Sequence, residues 1–107
     1  MSFEIIAVPS FKRELKKLAK KYPSLKEDFS NLVESLKEKP DQGTPLGQDC
    51  FKIRMAITSK GRGKSGGSRV ITCVRITKNK IYLISIFDKS EKENITAKEL
   101  SRLIKNL

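Results

Sequence analysis

The sequence predicts an α+β fold in which a helical hairpin and a C-terminal helix pack on a small, mainly antiparallel sheet. The predicted order is β-α-α-β-β-β-α, with two amphipathic helical stripes ahead of three consecutive strand-like segments. Helices and strands that are segregated along the chain are typical of α+β domains. The 107 residues suffice for one hydrophobic core but not for two, so residues 1–107 are expected to form a single domain.

The N-terminal part predicts one strand and two helices. Residues 2–8 favour a strand that a proline ends, and Ser10 is the expected N-cap of the first helix. Pro23 separates this helix from the second, where Ser24 and Glu27 have the spacing of a capping box. Each helix carries one apolar stripe at helical spacing, so each is expected to bury one face. The stripes are Phe11, Leu15, Leu18, Ala19 and Tyr22, then Leu25, Phe29, Leu32, Val33 and Leu36.

Residues 51–87 predict three antiparallel strands and form the centre of the sheet. Residues 51–57 alternate apolar with basic side chains or alanine, the period of a strand with one buried face. Residues 69–77 are rich in β-branched side chains and residues 81–87 are almost wholly apolar, as in central strands covered on both sides. The connection over residues 78–80 is short enough for a hairpin. Residues 58–68 form a glycine-rich basic loop between the first two of these strands.

The remaining segments predict a linker and a last helix. Residues 39–47 are rich in turn formers and are expected to link the helical hairpin to the sheet. Residues 88–94 are too highly charged for the core, and Thr96 with Glu99 forms a second capping-box pattern. The helix that follows is expected to bury one side, formed by Leu100, Leu103, Ile104 and Leu107.

Positive charge is concentrated on the predicted sheet. Residues 41–87 hold nine lysines and arginines against two acids, a net of +7 within a whole-chain charge of +11. A cationic surface on a small sheet is the electrostatic signature of a polyanion ligand. The alternative is a solvated basic face that keeps the protein soluble. The same two interpretations stand for the basic series on the first helix, which comprises Lys12, Arg13, Lys16, Lys17, Lys20 and Lys21.

Several classes of function are excluded or disfavoured by composition. The chain has no histidine, which excludes nucleophile–histidine pairs and most zinc sites. Cys50 and Cys73 lack metal-site spacing and are expected to be reduced residues of the sheet or core. We expect no membrane span and no signal peptide, hence a cytoplasmic protein. Residues 63–65 match the end of a P-loop, but Thr58 stands where that motif requires glycine.

Together the residues resemble the RelE/ParE superfamily of toxins from type II toxin–antitoxin systems. Two segments bring the chain nearest to the HigB-type, RelE-like branch: the strand and glycine-rich loop over residues 51–71, and residues 86–96 with the helix that follows. The resemblance implies a metal-independent endoribonuclease that cuts mRNA on the ribosome, works without a cofactor, and is silenced by a cognate antitoxin. A ParE-like inhibitor of DNA gyrase, or a degenerate module that only binds RNA or antitoxin, are the alternatives.

The resemblance also assigns candidate site residues. The family's catalytic positions fall on Lys52 and Arg54 of the first sheet strand, Arg69 at the start of the next, and Lys89 after the last. The expected RNA-binding residues are Lys60, Arg62, Lys64, Lys92 and Phe87. This chain departs from RelE at Ser90, where RelE has an arginine, and near Thr96, where RelE has a catalytic tyrosine. Lys92 and Phe87 are our candidates to replace those groups in charge and in stacking.

Such chemistry needs neither histidine nor metal, because RNA supplies its own nucleophile in the 2′-hydroxyl. The protein has to align this hydroxyl, neutralise the growing phosphorane charge and transfer two protons. Arginine suits the phosphate contact because its planar fork binds two oxygens at once. Lys52 or Lys89 is the candidate for proton transfer, since a lysine surrounded by like charges gives up its proton more readily.

Overall fold

The computed structural model describes residues 3–61 and 63–107, and its elements follow the predicted α+β order with one strand added. Strand β1 (Glu4–Ala7) leads into helices α1 (Pro9–Lys21) and α2 (Leu25–Glu38). Strands β2 (Thr44–Gly47), β3 (Cys50–Met55), β4 (Ser68–Arg75) and β5 (Lys80–Asp88) follow, and helix α3 (Ala97–Ile104) ends the fold. Short 3₁₀ turns occupy Thr58–Lys60 and Ile76–Lys78.

The described strands form one five-stranded sheet in the order β1-β5-β4-β3-β2. Strand β1 runs parallel to β5 and the other neighbours are antiparallel, which confirms the mainly antiparallel sheet. The parallel pair arises because the helical hairpin carries the chain over the sheet between β1 and the later strands. Strands β4 and β5 are central and almost wholly buried, as their apolar composition predicts.

The two faces of the sheet bury two separate apolar clusters. Helices α1 and α2 pack on one face through Phe11, Leu18, Leu25, Leu32 and Leu36, which confirms their predicted stripes. Helix α3 covers part of the opposite face, where Leu100 packs in a cluster with Ile71, Ile84 and Phe87. Leu107 was predicted on the buried side of this helix but lies beyond its end and is exposed.

The helix ends differ in part from the sequence prediction. Helix α1 begins at Pro9, so Ser10 lies inside its first turn and the N-cap prediction is wrong. Proline is well suited to this place because its fixed φ is already helical. Ser24 is the N-cap of α2 without a side-chain cap bond, because its hydroxyl donates to Asp28 instead. Only the capping box of Thr96 and Glu99 is confirmed.

Strand β2 was predicted as part of a linker. Its sequence Thr-Pro-Leu-Gly is rich in turn formers, yet it pairs with β3 at the edge of the sheet. Proline is tolerated there because an edge strand need not donate every backbone N–H. A tight turn with Gln48 and Asp49 at positive φ leads into β3. The composition of the whole segment is therefore that of a turn, and the sequence does not predict the short strand.

The two cysteines are not free, and this corrects the expectation that they are reduced. Cys50 of β3 and Cys73 of β4 are joined in a disulfide. They are direct partners in the antiparallel register, with Cα atoms 4.0 Å apart. The prediction was wrong because cysteines 23 positions apart give no sequence sign that two strands will place them opposite each other.

Candidate nucleic-acid interface

Arg54, Arg69 and Phe87 lie side by side across three neighbouring strands. The register pairs Arg54 of β3 with Arg69 of β4, and Arg69 with Phe87 of β5. Paired residues of neighbouring strands point to the same face, and alternation places Lys52 on that face too. The structure therefore brings Lys52, Arg54 and Arg69 together, as the sequence predicts, at the end of the sheet from which the glycine-rich loop projects.

Arg54 is the exposed member of the arginine pair. It lies on β3 beyond the last residue that pairs with β2, where β3 itself becomes the edge of the sheet. It lines an open cleft of about 330 Å³ together with Lys64 from the glycine-rich loop, Asp28 of α2, and Ile53 and Met55 from the α2-facing side of β3. Arg54 and Lys64 are both basic and line the same cleft, so they are the candidates there for a phosphate contact.

Arg69 is 3% exposed, and its guanidinium is already engaged. One terminal nitrogen donates to the carbonyls of Lys64 at 3.0 Å and Ser68 at 3.1 Å, and the other donates to Ser65 at 3.4 Å. Burial and the nearby charge of Arg54 both lower the pKa of Arg69 from its ordinary value, although arginine stays charged at neutral pH. Arg69 thus holds the backbone of the loop that carries Lys64.

The start of the loop is bound to helix α2. Asp28 accepts hydrogen bonds from the backbone and hydroxyl of Thr58 at 2.9 and 2.6 Å, and Ser24 accepts one from the backbone of Ser59 at 2.8 Å. Burial alone would raise the pKa of Asp28, but these bonds stabilise the carboxylate and the pKa is lowered. Carboxylates that accept backbone N–H bonds are typically stabilised in this way.

A second carboxylate, Asp88, anchors the next residue of the loop. Lys60 Nζ lies 2.8 Å from Asp88 Oδ1, and the Tyr22 hydroxyl donates to Oδ2 at 2.5 Å. The backbone and hydroxyl of Ser90 complete the set at 3.0 and 2.8 Å. Burial would raise the pKa of Asp88, but Lys60, Tyr22 and Ser90 outweigh it and hold the pKa far below its ordinary value. Lys60, predicted to bind RNA, is therefore engaged inside the protein.

Lys89 lines a different cleft from Arg54. This cleft has a volume of about 360 Å³ and is also lined by Lys60, Gly66, Ser90, Lys92 and the two acids Glu91 and Glu93. The backbone N–H of Lys89 donates to the carbonyl of Gly67 at 3.1 Å, so the end of the loop and the segment after β5 are joined. The predicted site is thus divided between two clefts, one containing Arg54 and Lys64 and one containing Lys89 and Lys92.

Phe87, Lys92 and Lys52 each have a partner within the chain. Phe87 is 7% exposed, and the Lys92 ammonium lies 5.2 Å from its ring centroid. Lys92 therefore covers the ring on which an RNA base was expected to stack. Lys92 also pairs with Glu99 at 2.6 Å. The ammonium of Lys52 donates to Asn94 Oδ1 at 3.3 Å. Arg62 lies outside the described residues.

The sequence reasoning missed the acids that organise this basic surface, Asp28 and Asp88. A signal for Asp88 was present: an acid ends an apolar strand in a chain with a +11 charge, directly before a candidate catalytic lysine. Within residues 3–61 and 63–107 no cluster of three or more metal-ligating side chains occurs. None of the helices in the described part of the chain has the length and apolar character to cross a bilayer.

Comparison with known proteins assigns the family. Residues 10–106 match the model of the RelE toxin of the RelE/RelB toxin–antitoxin system. The chain belongs to the RelE toxin family. As a member of this family it is expected to have an antitoxin partner.

Solved structures show the same fold in RelE itself. A double-arginine mutant of the E. coli toxin RelE in the free state is 20% identical, with a TM-score of 0.65 over 100% of this chain and 99% of that one. The isolated E. coli RelE toxin is 17% identical, with a TM-score of 0.62 over 100% of both chains. This RelE-family chain therefore has the RelE architecture. At this sequence identity, structural similarity is evidence for the fold alone.

Proposed function

We propose that this chain is a ribosome-dependent mRNA endoribonuclease of the HigB-type, RelE-like branch, acting in the cytoplasm as the toxin of a type II pair. The observation that carries the proposal is the pairing of Arg54 with Arg69 on one sheet face, with Lys64 lining the same cleft as Arg54. Cations grouped at one end of the sheet suit a phosphodiester whose negative charge grows during cleavage.

In this mechanism the attacking group is the 2′-hydroxyl next to the scissile phosphate. Its oxygen bonds to phosphorus, the bond to the 5′-oxygen of the next nucleotide breaks, and the products end in a 2′,3′-cyclic phosphate and a free 5′-hydroxyl. One proton leaves the 2′-hydroxyl and one is delivered to the departing oxygen. The protein contributes alignment and charge, which together account for most of the catalytic effect in phosphoryl transfer.

The proposed roles follow from the exposure of each side chain. Arg54 is free to grip the non-bridging oxygens, and Lys64 adds a second contact from the loop. Arg69 adds its charge from just beneath the surface while its hydrogen bonds fix the loop. Lys52 and Lys89 are the proposed proton-transfer residues, and Lys92 with Phe87 and Arg62 are proposed to contact RNA.

For the antitoxin we propose an acidic or amphipathic segment that covers Lys52, Arg54 and Arg69 or displaces α3. A cationic face attracts a complementary acidic segment and speeds its capture. Helix α3 is eight residues long and packs through Leu100 with Leu103 and Ile104, so an amphipathic antitoxin segment could take its place. Hydrogen exchange on the complex tests this: added protection is expected over β3 to β5 and α3, and none there contradicts the proposal.

The nuclease proposal is tested with ribosomes stalled on a defined mRNA. The protein is added to the stalled complex and, in parallel, to naked mRNA, and primer extension maps any cuts. Cuts are expected only on ribosome-bound mRNA, within the translated frame, with 2′,3′-cyclic ends. Intact mRNA during growth arrest, together with survivors that carry resistance mutations in DNA gyrase or with an SOS response, would instead favour a gyrase inhibitor. Binding to RNA or antitoxin without arrest would favour a degenerate module.

A further inference from the structure

Asp88 gathers groups from three separate parts of the chain around one buried carboxylate. Its side chain is fully buried, and its partners come from the end of α1 (Tyr22), the start of the glycine-rich loop (Lys60) and the turn after β5 (Ser90). In sequence, Tyr22 and Lys60 lie 66 and 28 positions away from it. A single side chain thus fixes the relative placement of a helix, a loop and a strand end.

Stability alone is a weak explanation for this arrangement. Desolvating a carboxylate and an ammonium costs about as much as their attraction returns, so apolar side chains of similar volume would serve the core equally well. What a buried, fully hydrogen-bonded ion pair does supply is one defined geometry, because each donor has to meet one oxygen. The elements that Asp88 joins are those that carry Lys64 and Lys89.

The turn after β5 shows how Asp88 acts on Lys89. The backbone N–H of Ser90 donates to the Asp88 carboxylate two residues earlier, the pattern of an Asx turn. Lys89 is the middle residue of this turn, and its own N–H donates to Gly67 at the end of the loop. The direction in which the Lys89 side chain enters its cleft is therefore set by Asp88 on one side and by Gly67 on the other.

After the contacts of α2 with Thr58 and Ser59, Asp88 holds the loop at Lys60 and Arg69 holds it at Lys64 and Ser65. Lys60 is fixed by the carboxylate at 2.8 Å, and the carbonyls of Lys64 and Ser65 accept from the guanidinium of Arg69. We propose that Asp88 is a positioning residue of the ribonuclease site, which acts through Lys60 on the loop carrying Lys64 and through the Ser90 turn on Lys89. This inference rests on the proposed function.

The competing interpretation is that Lys60 itself contacts RNA and that its bond to Asp88 is incidental. The two differ in kinetics. Loss of an RNA contact weakens binding and raises KM, whereas misplacement of Lys64 and Lys89 lowers kcat with KM little changed. Displacing groups by about 1 Å can cost about 100-fold in rate.

The chain offers a matched control for Lys60 in Lys21. Both ammonium groups lie 5.4 Å from the centroid of the Tyr22 ring, and each pairs with one carboxylate: Lys60 with Asp88 at 2.8 Å and Lys21 with Glu91 at 2.9 Å. Only Lys60 belongs to the loop, and only its partner is buried. Lys60→Met and Lys21→Met remove the same charge, and both keep an unbranched side chain to pack on the ring.

The kinetic experiment uses the full chain on ribosome-bound mRNA. Lys60→Met is expected to lower kcat about 10- to 100-fold with KM within about twofold of the parent, and Lys21→Met is expected to leave both within about twofold. Should Lys60→Met fold poorly, Lys60→Met/Asp88→Asn removes both charges and carries the same expectation. A raised KM with unchanged kcat would show that Lys60 is an RNA contact. Parental kinetics in the folded variant would show that Asp88 is only a structural residue. Either result overturns the proposal.

Hydrogen exchange on the isolated protein separates this inference from the proposed function. The amides of Gly67 and Lys89, which bond to Lys64 and Gly67, are expected to exchange at least tenfold faster in Lys60→Met and at the parental rate in Lys21→Met. If the parent cuts no mRNA while these amides respond, the nuclease proposal fails and the anchoring by Asp88 stands. Unchanged exchange overturns the anchoring whatever the activity.

Discussion

Arg54 lies directly opposite Arg69 on the neighbouring strand, the first exposed and the second 3% exposed. Like charges placed opposite each other destabilise a sheet, so the pair has a cost unless a partner compensates it. Arg69 is compensated by three backbone carbonyls, and Arg54 by solvent. Within residues 3–61 and 63–107 neither arginine forms a salt bridge, which favours an external anion as the partner of the pair.

The first prediction separates the two arginines. Arg54→Ala is expected to lower cleavage of ribosome-bound mRNA about 10²- to 10³-fold, the usual effect of losing one preorganised donor. Its melting temperature is expected to equal the parent's or rise slightly, because the repulsion from Arg69 is removed. Arg69→Ala is expected to lower the rate at least as much and also the free energy of unfolding by about 1–3 kcal/mol, because three carbonyls lose their donor. Thermal melts with single-turnover cleavage measure both effects.

Lys78→Ala is the control for the arginine pair. It removes an equal charge from the exposed turn between β4 and β5, at the far end of the sheet, and is expected to change neither rate nor melting temperature. A rate for Arg54→Ala close to that of the parent would contradict the placement of the phosphate site. A melting temperature for Arg69→Ala equal to the parent's would contradict its role in holding the loop.

The second prediction concerns acid stability and Asp88. Because the folded-state pKa of Asp88 lies below the unfolded value of about 3.9, its contribution is complete above about pH 5 and is lost as pH falls through the unfolded towards the folded pKa. Asp88→Asn is expected to lower the free energy of unfolding by roughly 3 kcal/mol at pH 7, since it leaves Lys60 without its counter-charge. Urea unfolding from pH 7 to pH 2 measures this.

The same series contains its own check. The difference between parent and Asp88→Asn is expected to shrink as pH falls below about 4, because protonation removes the charge that the variant lacks. Asp41→Asn, which removes an exposed carboxylate, is expected to track the parent at every pH. A difference that stays constant down to pH 2 would show that Asp88 acts by packing and not by charge.

Patterning made the fold largely predictable from sequence. The helical stripes of residues 11–22 and 25–36 and the alternation after Phe51 each match one period, so element type and buried face followed directly. Strand β2 was not predicted, because its four residues have the composition of a turn and become a strand only by pairing with the edge of β3. The disulfide was missed for a related reason: register, not spacing in sequence, places Cys50 opposite Cys73.

The charge of the candidate site was predictable from sequence, but its internal contacts were not. Lys52, Arg54 and Arg69 share a face because strand alternation fixes side-chain direction, which sequence shows. That Lys60 turns inward to Asp88, and Arg69 to the loop carbonyls, depends on acids and carbonyls brought close by packing. Lys60 and Asp88 are 28 positions apart in sequence, a spacing that does not predict an ion pair, so the sequence favoured an RNA contact for Lys60.

The third prediction tests the disulfide. Thiol titration of the denatured protein without reductant is expected to find no free cysteine, and reductant is expected to lower the melting temperature. Closing a chain segment of this length restricts the unfolded state by about 3 kcal/mol in the chain-entropy model. Cys50→Ala/Cys73→Ala is expected to melt like the reduced parent and to ignore reductant. Two titratable thiols would contradict the bond.

The last prediction concerns two glycines of the loop that serve different purposes. A Cβ on Gly67 would meet the carbonyl oxygen of Met55 and lie 2.8 Å from the Cα of Ala56, so the loop can close on β3 only with glycine there. Gly61 has φ +69 with open space around it, a conformation that asparagine also tolerates. Gly67→Ala is expected to lower the free energy of unfolding by about 1–3 kcal/mol, since backbone atoms have to move, and Gly61→Asn by a few tenths. Urea unfolding of both variants measures the difference, and equal costs would show that the close approach of Gly67 to Met55 and Ala56 does not require glycine.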